Sequence, residues 1–166
     1  MRIFGLAGWS GSGKTTLMTS LIPQFVSRGL TVSTIKHAHH AFDVDQPGKD
    51  SWRHRQAGAQ EVMVASGRRW ALMHELRGET EPSLDDLLMR MTPVDLLLVE
   101  GYKHHNHPKI EVYRSALGKP LLHPLDSFVV AIASDQHRAE FCRPWLPLSD
   151  PAAIASFILD YKTGLE

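Results

Sequence analysis

Cysteine is almost absent from this sequence, and excess charge and long apolar runs are absent altogether. Cys142 is the single cysteine among 166 residues, which excludes an internal disulfide and a zinc site built from several cysteines. The 18 basic residues balance the 18 acidic ones, so no overall field attracts nucleic acid or an anionic membrane. No stretch approaches the roughly 18 apolar residues of a membrane-spanning helix. We therefore expect neither nucleic acid nor a membrane among its partners.

The same absences bear on where the chain works and how it is organised. The apolar run in MRIFGLAGW ends in glycines and is too brief for the core of a signal peptide. Together with the single cysteine, this indicates a soluble, unprocessed protein of the cytoplasm. With 43% hydrophobic residues the chain can bury one sizeable core, and it is too short for two ordinary domains. We therefore predict a single domain over residues 1–166.

Histidine, in contrast, is abundant, and several of the ten histidines cluster with carboxylates in KHAHHAFDVDQPGKDSWRH. Imidazoles and carboxylates at this spacing are ligands that zinc or nickel would select. His37 and His39 alternate onto one side of an extended chain, and His40, Asp43 or Asp45 could complete a shell. The same residues could equally line a site for an anion or lie in solvent. The segment alone leaves these interpretations open.

Strand and helix patterns alternate along the chain. Runs of β-branched or continuous apolar residues predict strands, and apolar spacings of three to four residues predict helices. This alternation is typical of an α/β sandwich of three layers. The predicted strands are 2–7, 30–35, 61–65, 70–74, 94–99, 109–114 and 128–133, and the predicted helices are 14–28, 49–57, 82–91 and 150–161.

The sequence GWSGSGKT begins at Gly8 and fits the pattern G-x-x-x-x-G-K-[ST] between a predicted strand and a predicted helix. In this motif, backbone N–H groups surround the α- and β-phosphates at the positive end of the helix. Lys14 is expected to reach the β- and γ-phosphates, Thr15 to bind Mg²⁺ and Thr16 to meet the α-phosphate. The predicted phosphate-binding residues are Ser10, Gly11, Ser12, Gly13, Lys14, Thr15 and Thr16. The motif makes the expected fold a three-layer P-loop NTPase fold, with a mostly parallel central sheet and a small antiparallel hairpin extension.

An acidic partner for Mg²⁺ is expected in VDLLLVEG, which offers Asp95 and Glu100. At roughly 3.3 Å per residue, the two carboxylates lie about 16 Å apart along a strand. Ligands bind beyond the carboxyl ends of the strands in open α/β sheets, so Glu100 is assigned to Mg²⁺ or its waters and Asp95 to the start of the strand. Asp43 or Asp45 is a further candidate for Mg²⁺, in a loop that could sense the γ-phosphate.

The tails of two central strands carry Lys-His elements to the same edge of the sheet. Lys36 and His37 follow the second predicted strand, and Lys103 and His104 follow the acidic one. If both strands neighbour the phosphate-loop strand, these four residues form a positively biased patch. We predict that this patch binds a second anionic ligand.

Four segments together resemble one known family: GWSGSGKTT, IKHAHHAFDVDQPGKDSWRHRQAGA, VASGRRWALMHE and LLVEGYKH. They resemble the molybdopterin-guanine dinucleotide biosynthesis adapter family, MobB, from residue 3 to about residue 135. The resemblance implies a dimeric GTP-binding P-loop protein with weak GTPase activity at most. It also implies a role in assisting the guanylyltransferase that attaches GMP to molybdopterin, by delivering GTP or holding the cofactor. By this analogy the Lys36 and Lys103 rims face the pterin phosphate or the partner enzyme.

Two departures from an ordinary GTPase leave alternatives open. The guanine-binding element Asn-Lys-x-Asp is absent, and Asp135 after a predicted strand is the nearby substitute that could accept bonds from guanine N1 and N2, so GTP and ATP both stay open. No catalytic glutamine follows VEGYK, so efficient hydrolysis is not expected without a partner. The alternative functions are a small-molecule kinase, with Lys36, Arg53 or Lys103 placing the acceptor, and a metal-insertion GTPase, with histidines carrying nickel or zinc.

Overall fold

A computed structural model describes residues 1–38 and 42–162. The chain divides into two compact units, Met1–His37 with Thr92–Glu166, and Ala38–Met91. The strands are β1 Arg2–Ala7, β2 Val32–Lys36, β3 Glu61–Ala65, β4 Trp70–His74, β5 Leu96–Glu100, β6 Lys109–Tyr113, β7 Val129–Ser134 and β8 Trp145–Pro147. The helices are α1 Lys14–Val26, α2 Asp50–Gln56, α3 Leu84–Leu88 and α4 Pro151–Asp160. That residues 1–166 act as a single domain stays a prediction.

The first unit is built on a parallel sheet with the strand order β2-β5-β1-β6-β7-β8. β1 lies between β5 and β6, and β5 also pairs with β2. Because all strands run the same way, their carboxyl ends meet at one edge of the sheet. The predicted α/β fold with a mostly parallel sheet is confirmed, and this edge carries the loop after β1 and the segments that follow β2 and β5.

Alternate residues of the strands form the main core of this unit with α1 and α4. Phe4 and Leu6 of β1 pack with Leu21 and Phe25 of α1, and Ile154 of α4 joins the same buried cluster. Each such side chain contributes about 1.5–3 kcal/mol when it is fully removed from water. This packing fixes α1, and with it the loop that precedes α1, against the sheet.

Local sequence explains where both helices of this unit begin and end. α1 ends two residues earlier than predicted, because Gly29 adopts a left-handed φ of 82° and the N–H groups of Gly29 and Leu30 close back on Val26 O and Phe25 O. α4 begins as predicted, with Pro151 in its first turn and the Asp150 carboxylate accepting from Ala153 N at 2.9 Å.

The second unit contains the predicted antiparallel hairpin, with β3 and β4 at the predicted bounds. α3 begins after Ser83, whose hydroxyl and the Asp86 carboxylate form a capping box. The helix ends at Leu88, whereas periodicity predicted that it continues to Met91. Residues 89–90 form a turn and Met91 lies in a bend, so the five-residue helix does not continue.

Several strands of the first unit differ from the sequence prediction; β5 begins at Leu96 rather than Val94, and β7 spans Val129–Ser134 rather than 128–133. β8 was not predicted, because three residues that include Pro147 give too short an apolar pattern, and the strand forms only by pairing with β7. β2 begins at Val32, and the preceding Thr31 donates from its N and Oγ1 to Asp95 Oδ2 at 2.8 and 2.6 Å. Asp95 therefore lies at the start of β5 as predicted.

None of the helices in the described residues is long and apolar enough to cross a membrane.

Candidate nucleotide site

The loop between β1 and α1 has the backbone that the phosphate-loop pattern requires. A Cβ on Gly8 would lie 2.5 Å from Val112 O, so β6 packs too closely for any side chain at this position. Gly13 caps α1 in the left-handed region with φ 97°, where other residues are strained. The two glycines therefore set the turn that aims the loop at the positive end of α1.

Lys14 closes onto this loop. Its Nζ donates to Gly8 O and to Trp9 O, each at 2.9 Å. Burial lowers the pKa of Lys14; Glu100 opposes that effect, while Lys36 and Lys103 lower the pKa further. Lys36 and Lys103, from the tails of β2 and β5, are therefore both close enough to Lys14 to act on its charge.

Thr15 and Glu100 meet beside Lys14. Thr15 Oγ1 donates to Glu100 Oε1 at 2.8 Å, and Lys36 Nζ lies 3.7 Å from the same carboxylate oxygen. Adjacent ligands of an octahedral Mg²⁺ at about 2.1 Å are roughly 3 Å apart, so these two oxygens already have the spacing of neighbouring Mg²⁺ ligands. Glu100 is 8% exposed and pairs in register with Leu6 of β1. Hard oxygen donors at this spacing fit Mg²⁺.

The segment after β5 turns sharply back over the loop. Gly101 and Tyr102 have positive φ angles of 94° and 47°. This turn places Lys103 Nζ 5.1 Å from the centre of the Trp9 ring. The His37 ring lies 4.8 Å from the Tyr102 ring, while His104 is exposed. Lys36, His37 and Lys103 therefore lie in the strand tails as predicted, and their binding of a second anion stays a prediction.

Two residues lie on the other side of the loop, toward β6 and β7. Asp135 follows β7 directly, is exposed, and its Oδ1 accepts from Ser115 N at 3.4 Å. Arg114 follows β6, and its Nε donates to Ser12 O at 3.4 Å. It also lines a small pocket with Gly13, Thr16, Leu17, Ser20 and Leu148. Arg114 was not predicted, although the rule that strand tails meet the ligand applies to β6 as it does to β5.

The remaining Mg²⁺ candidates lie in the second unit. Arg55 binds both of them: its Nη2 lies 2.8 Å from Asp43 Oδ1 and 2.6 Å from Asp45 Oδ1. Arg55 Nη1 also binds Glu75 Oε1 at 2.9 Å. Hydrogen bonding from Arg55 holds the pKa of Asp45 below its usual value. That Asp43 or Asp45 serves Mg²⁺ stays a prediction.

The histidine cluster is described only in part, because His39 and His40 lie outside the described residues. Within residues 1–38 and 42–162, no three histidine, cysteine, aspartate or glutamate side chains come together as a metal site. A transition-metal site that uses the two undescribed histidines therefore stays a hypothesis.

A parallel sheet with β1 between β5 and β6, and a glycine loop closed by Lys14 ahead of α1, defines a protein of the P-loop class. The family model "Molybdopterin guanine dinucleotide synthesis protein B" (MobB) matches residues 3–135. The chain belongs to this family. It is 43% identical over 162 residues to the molybdopterin-guanine dinucleotide biosynthesis adapter protein of Escherichia coli (strain K12), covering 96% of this chain and 92% of that protein.

Other relatives agree with this assignment. The adapter protein of the same name from Haemophilus influenzae (strain ATCC 51907 / DSM 11121 / KW20 / Rd) is 43% identical over 158 residues, covering 94% of this chain and 86% of that one. A crystal structure of molybdopterin-guanine biosynthesis protein B superposes with a TM-score of 0.74 at 29% identity, covering 95% and 96% of the two chains. The crystal structure of Bacillus subtilis MobB gives a TM-score of 0.75 at 25% identity over 99% of both. The likeness therefore extends over both compact units.

Proposed function

We propose that this chain is a cytoplasmic GTP-binding adapter of molybdenum cofactor biosynthesis, which assists the guanylyltransferase that attaches GMP to molybdopterin. The observation that carries the proposal is the contact of Thr15 with Glu100 beside a phosphate loop closed by Lys14. These are the parts that hold Mg²⁺ and nucleotide phosphates in P-loop proteins. The relatives named as adapter proteins support the pathway.

Each part of the site has a distinct task in nucleotide binding. Lys14 exchanges the carbonyls of Gly8 and Trp9 for the β- and γ-phosphates, and the N–H groups of the loop receive the phosphate oxygens. Thr15 and Glu100 hold Mg²⁺, which when bound neutralises phosphate charge. Asp135, at the tail of β7, accepts from guanine.

Hydrolysis is weak at most in this proposal. The segment after Glu100 carries Tyr102 and Lys103 and offers no glutamine or carboxylate to orient an attacking water there. A chain that binds GTP and hydrolyses it slowly suits delivery of the nucleotide to a partner enzyme.

The adapter role can be tested in a guanylyltransferase assay with molybdopterin and GTP. Adding the wild-type chain is expected to raise product formation, and Lys36→Ala combined with Lys103→Ala is expected to remove most of that gain. Lys162→Ala, an exposed lysine outside the site, is the matched control. Capture of the guanylyltransferase and of molybdopterin at wild-type levels by the double variant would refute the role of these two lysines.

We also propose that the chain forms a homodimer through the β3–β4 hairpin. Register places Met63, Trp70 and Leu72 on one face of this two-stranded sheet, and they are 62%, 67% and 45% exposed. Large apolar side chains that share an exposed face usually mark an interaction surface. When the same face of a second copy packs against it, both apolar surfaces are buried in one symmetric contact.

A further inference from the structure

Trp9 occupies an unusual place for a large aromatic residue, inside the phosphate loop itself. Its indole Nε1 donates to Pro120 O at 2.8 Å, and its ring is half-buried. The hydrogen bond fixes the ring plane relative to the segment that follows β6. The loop whose Trp9 carbonyl accepts from Lys14 Nζ therefore also carries a held aromatic ring.

Two ammonium groups from different segments lie against this ring. Lys103 Nζ is 5.1 Å from the ring centre and Lys119 Nζ is 5.9 Å from it. Lys103 follows β5 and Lys119 follows the turn after β6, so the tails on both sides of β1 converge on Trp9. We call Trp9, Lys103 and Lys119 the indole platform. Lys119 is exposed and Lys103 is half-buried. Both ammonium groups can therefore leave the Trp9 ring and bind a ligand instead.

A buried cation holds the Lys103 segment in place. Lys109 of β6 is 1% exposed, and its Nζ donates to Lys103 O at 2.8 Å, to His105 O at 2.7 Å and to Asp126 Oδ2 at 3.0 Å. All three N–H groups of this ammonium are therefore used within the protein. Burying a charge is costly unless it is paired, so the arrangement fixes the backbone that carries Lys103 and reduces the ordering needed when a ligand binds.

We propose that the indole platform binds a planar heteroaromatic ring that carries a phosphate group, with the ring stacked on Trp9 and the phosphate between Lys103 and Lys119. Aromatic rings stack on an indole face in an offset arrangement. A phosphate makes stronger charge-assisted bonds to an ammonium than the exposed indole face does. This inference rests on the proposed function, from which the ligand is a phosphorylated pterin that lies beside the GTP phosphates.

The test is a fluorescence titration of 6-hydroxymethylpterin monophosphate, because a pterin that stacks on indole loses emission. Wild type is expected to quench the probe, and Trp9→Leu is expected to lose the quenching and about tenfold in affinity. Lys119→Glu is expected to weaken binding by about tenfold or more, since it places a carboxylate beside the phosphate. The matched controls Trp52→Phe and Lys162→Glu are expected to keep wild-type affinity.

Two further ligands distinguish the contribution of the aromatic ring to binding from the contribution of the phosphate. 6-Hydroxymethylpterin without phosphate is expected to bind at least about tenfold more weakly than the phosphorylated probe and to lose its dependence on Lys119. Inorganic phosphate alone is expected to compete only weakly. Equal competition by inorganic phosphate would overturn the aromatic part of the proposal, and equal binding of the unphosphorylated ring would overturn the anionic part.

Lys119 is exposed and lies outside the phosphate loop. Lys119→Glu therefore tests the proposal even if Trp9→Leu disturbs the loop. Unchanged probe affinity in Lys119→Glu contradicts the proposal. GTP calorimetry on the wild-type chain separates the two claims. If GTP binds and the phosphorylated pterin does not, the platform proposal fails alone; if GTP does not bind, the proposed function fails.

Discussion

His107 is a buried imidazole packed against the backbone of β1. It is 4% exposed, and a Cβ on Gly5 would lie 2.3 Å from its Nε2. Its Nδ1 lies 3.0 Å from His105 Nδ1, and Nε2 has no hydrogen-bond partner within the described chain. Burial first, and then Lys109 and His105, lower the pKa of His107 to about 4, while Asp126 opposes them. His107 is therefore neutral in the folded protein.

The free energy of unfolding is expected to depend on pH through His107. The unfolded chain takes up a proton below its ordinary pKa near 6.5, whereas the folded chain does so only near 4. The contribution is fully present above about pH 6.5 and falls by up to about 3 kcal/mol as the pH drops to about 4. Chemical unfolding at several pH values measures it. His107→Gln is expected to flatten this dependence and the exposed His54→Gln to keep it, so equal slopes in both variants would rule the mechanism out.

The hydroxyl of Thr15 is expected to matter for Mg²⁺ rather than for the phosphates. Thr15→Val keeps the shape of the side chain and removes one of the two oxygens that stand 2.8 Å apart. GTP affinity measured with Mg²⁺ is expected to fall by about tenfold, and affinity measured with EDTA to change little. Thr19→Val is the matched control, because Thr19 lies one turn further along α1 with its hydroxyl bonded to Thr16 O. An equal loss with and without Mg²⁺ would speak against a metal ligand.

At the scale of elements, the turn after β5 determines where Lys103 lies. Gly101 has a φ of 94°, and a Cβ there would lie 2.8 Å from His37 Cβ. Gly101→Ala is expected to lower the free energy of unfolding by about 1–3 kcal/mol and to weaken GTP binding through Glu100. Thermal unfolding and calorimetry measure the two effects.

Gly67 offers a matched control for that substitution. It lies in the hairpin turn, and a Cβ there would have no heavy atom within 4 Å. Gly67→Ala is expected to leave stability and GTP affinity close to wild type. Equal behaviour of the two alanine variants would show that the turn after β5 tolerates a side chain and does not fix the site.

The elements that follow from local pattern could be predicted, and those that depend on distant pairing could not. β1, the hairpin strands and the start of α4 have the predicted bounds, because apolar runs, a glycine turn and a proline after aspartate act within a few residues. β8 exists only because β7 offers it an edge. Glu100 could be placed by counting residues along a strand. Arg114 directly follows β6, so the rule that strand tails meet the ligand could have placed it, whereas Lys119 could not be placed from spacing alone because a contact between separate loops brings it to Trp9.

At the scale of the whole molecule, the exposed hairpin face leads to a prediction about assembly. Leu72→Glu combined with Trp70→Glu puts two carboxylates on the face that is proposed to meet its copy. The wild-type chain is expected to sediment as a dimer and the double variant as a monomer at micromolar concentration, because buried unpaired charges oppose association. Met89→Glu, at an 80% exposed residue outside the hairpin, is the control. A double variant that remains dimeric would place the interface elsewhere.

Calorimetry with Lys14→Ala tests whether the loop between β1 and α1 binds GTP through Lys14. Wild-type protein is expected to bind one GTP per chain with Mg²⁺, more tightly than ATP. Lys14→Ala is expected to lose about 100-fold or more in affinity, since charge-assisted bonds to two phosphates disappear, while its circular dichroism spectrum stays that of the wild type. Retained GTP affinity in a folded Lys14→Ala variant would show that GTP does not bind to the loop through Lys14.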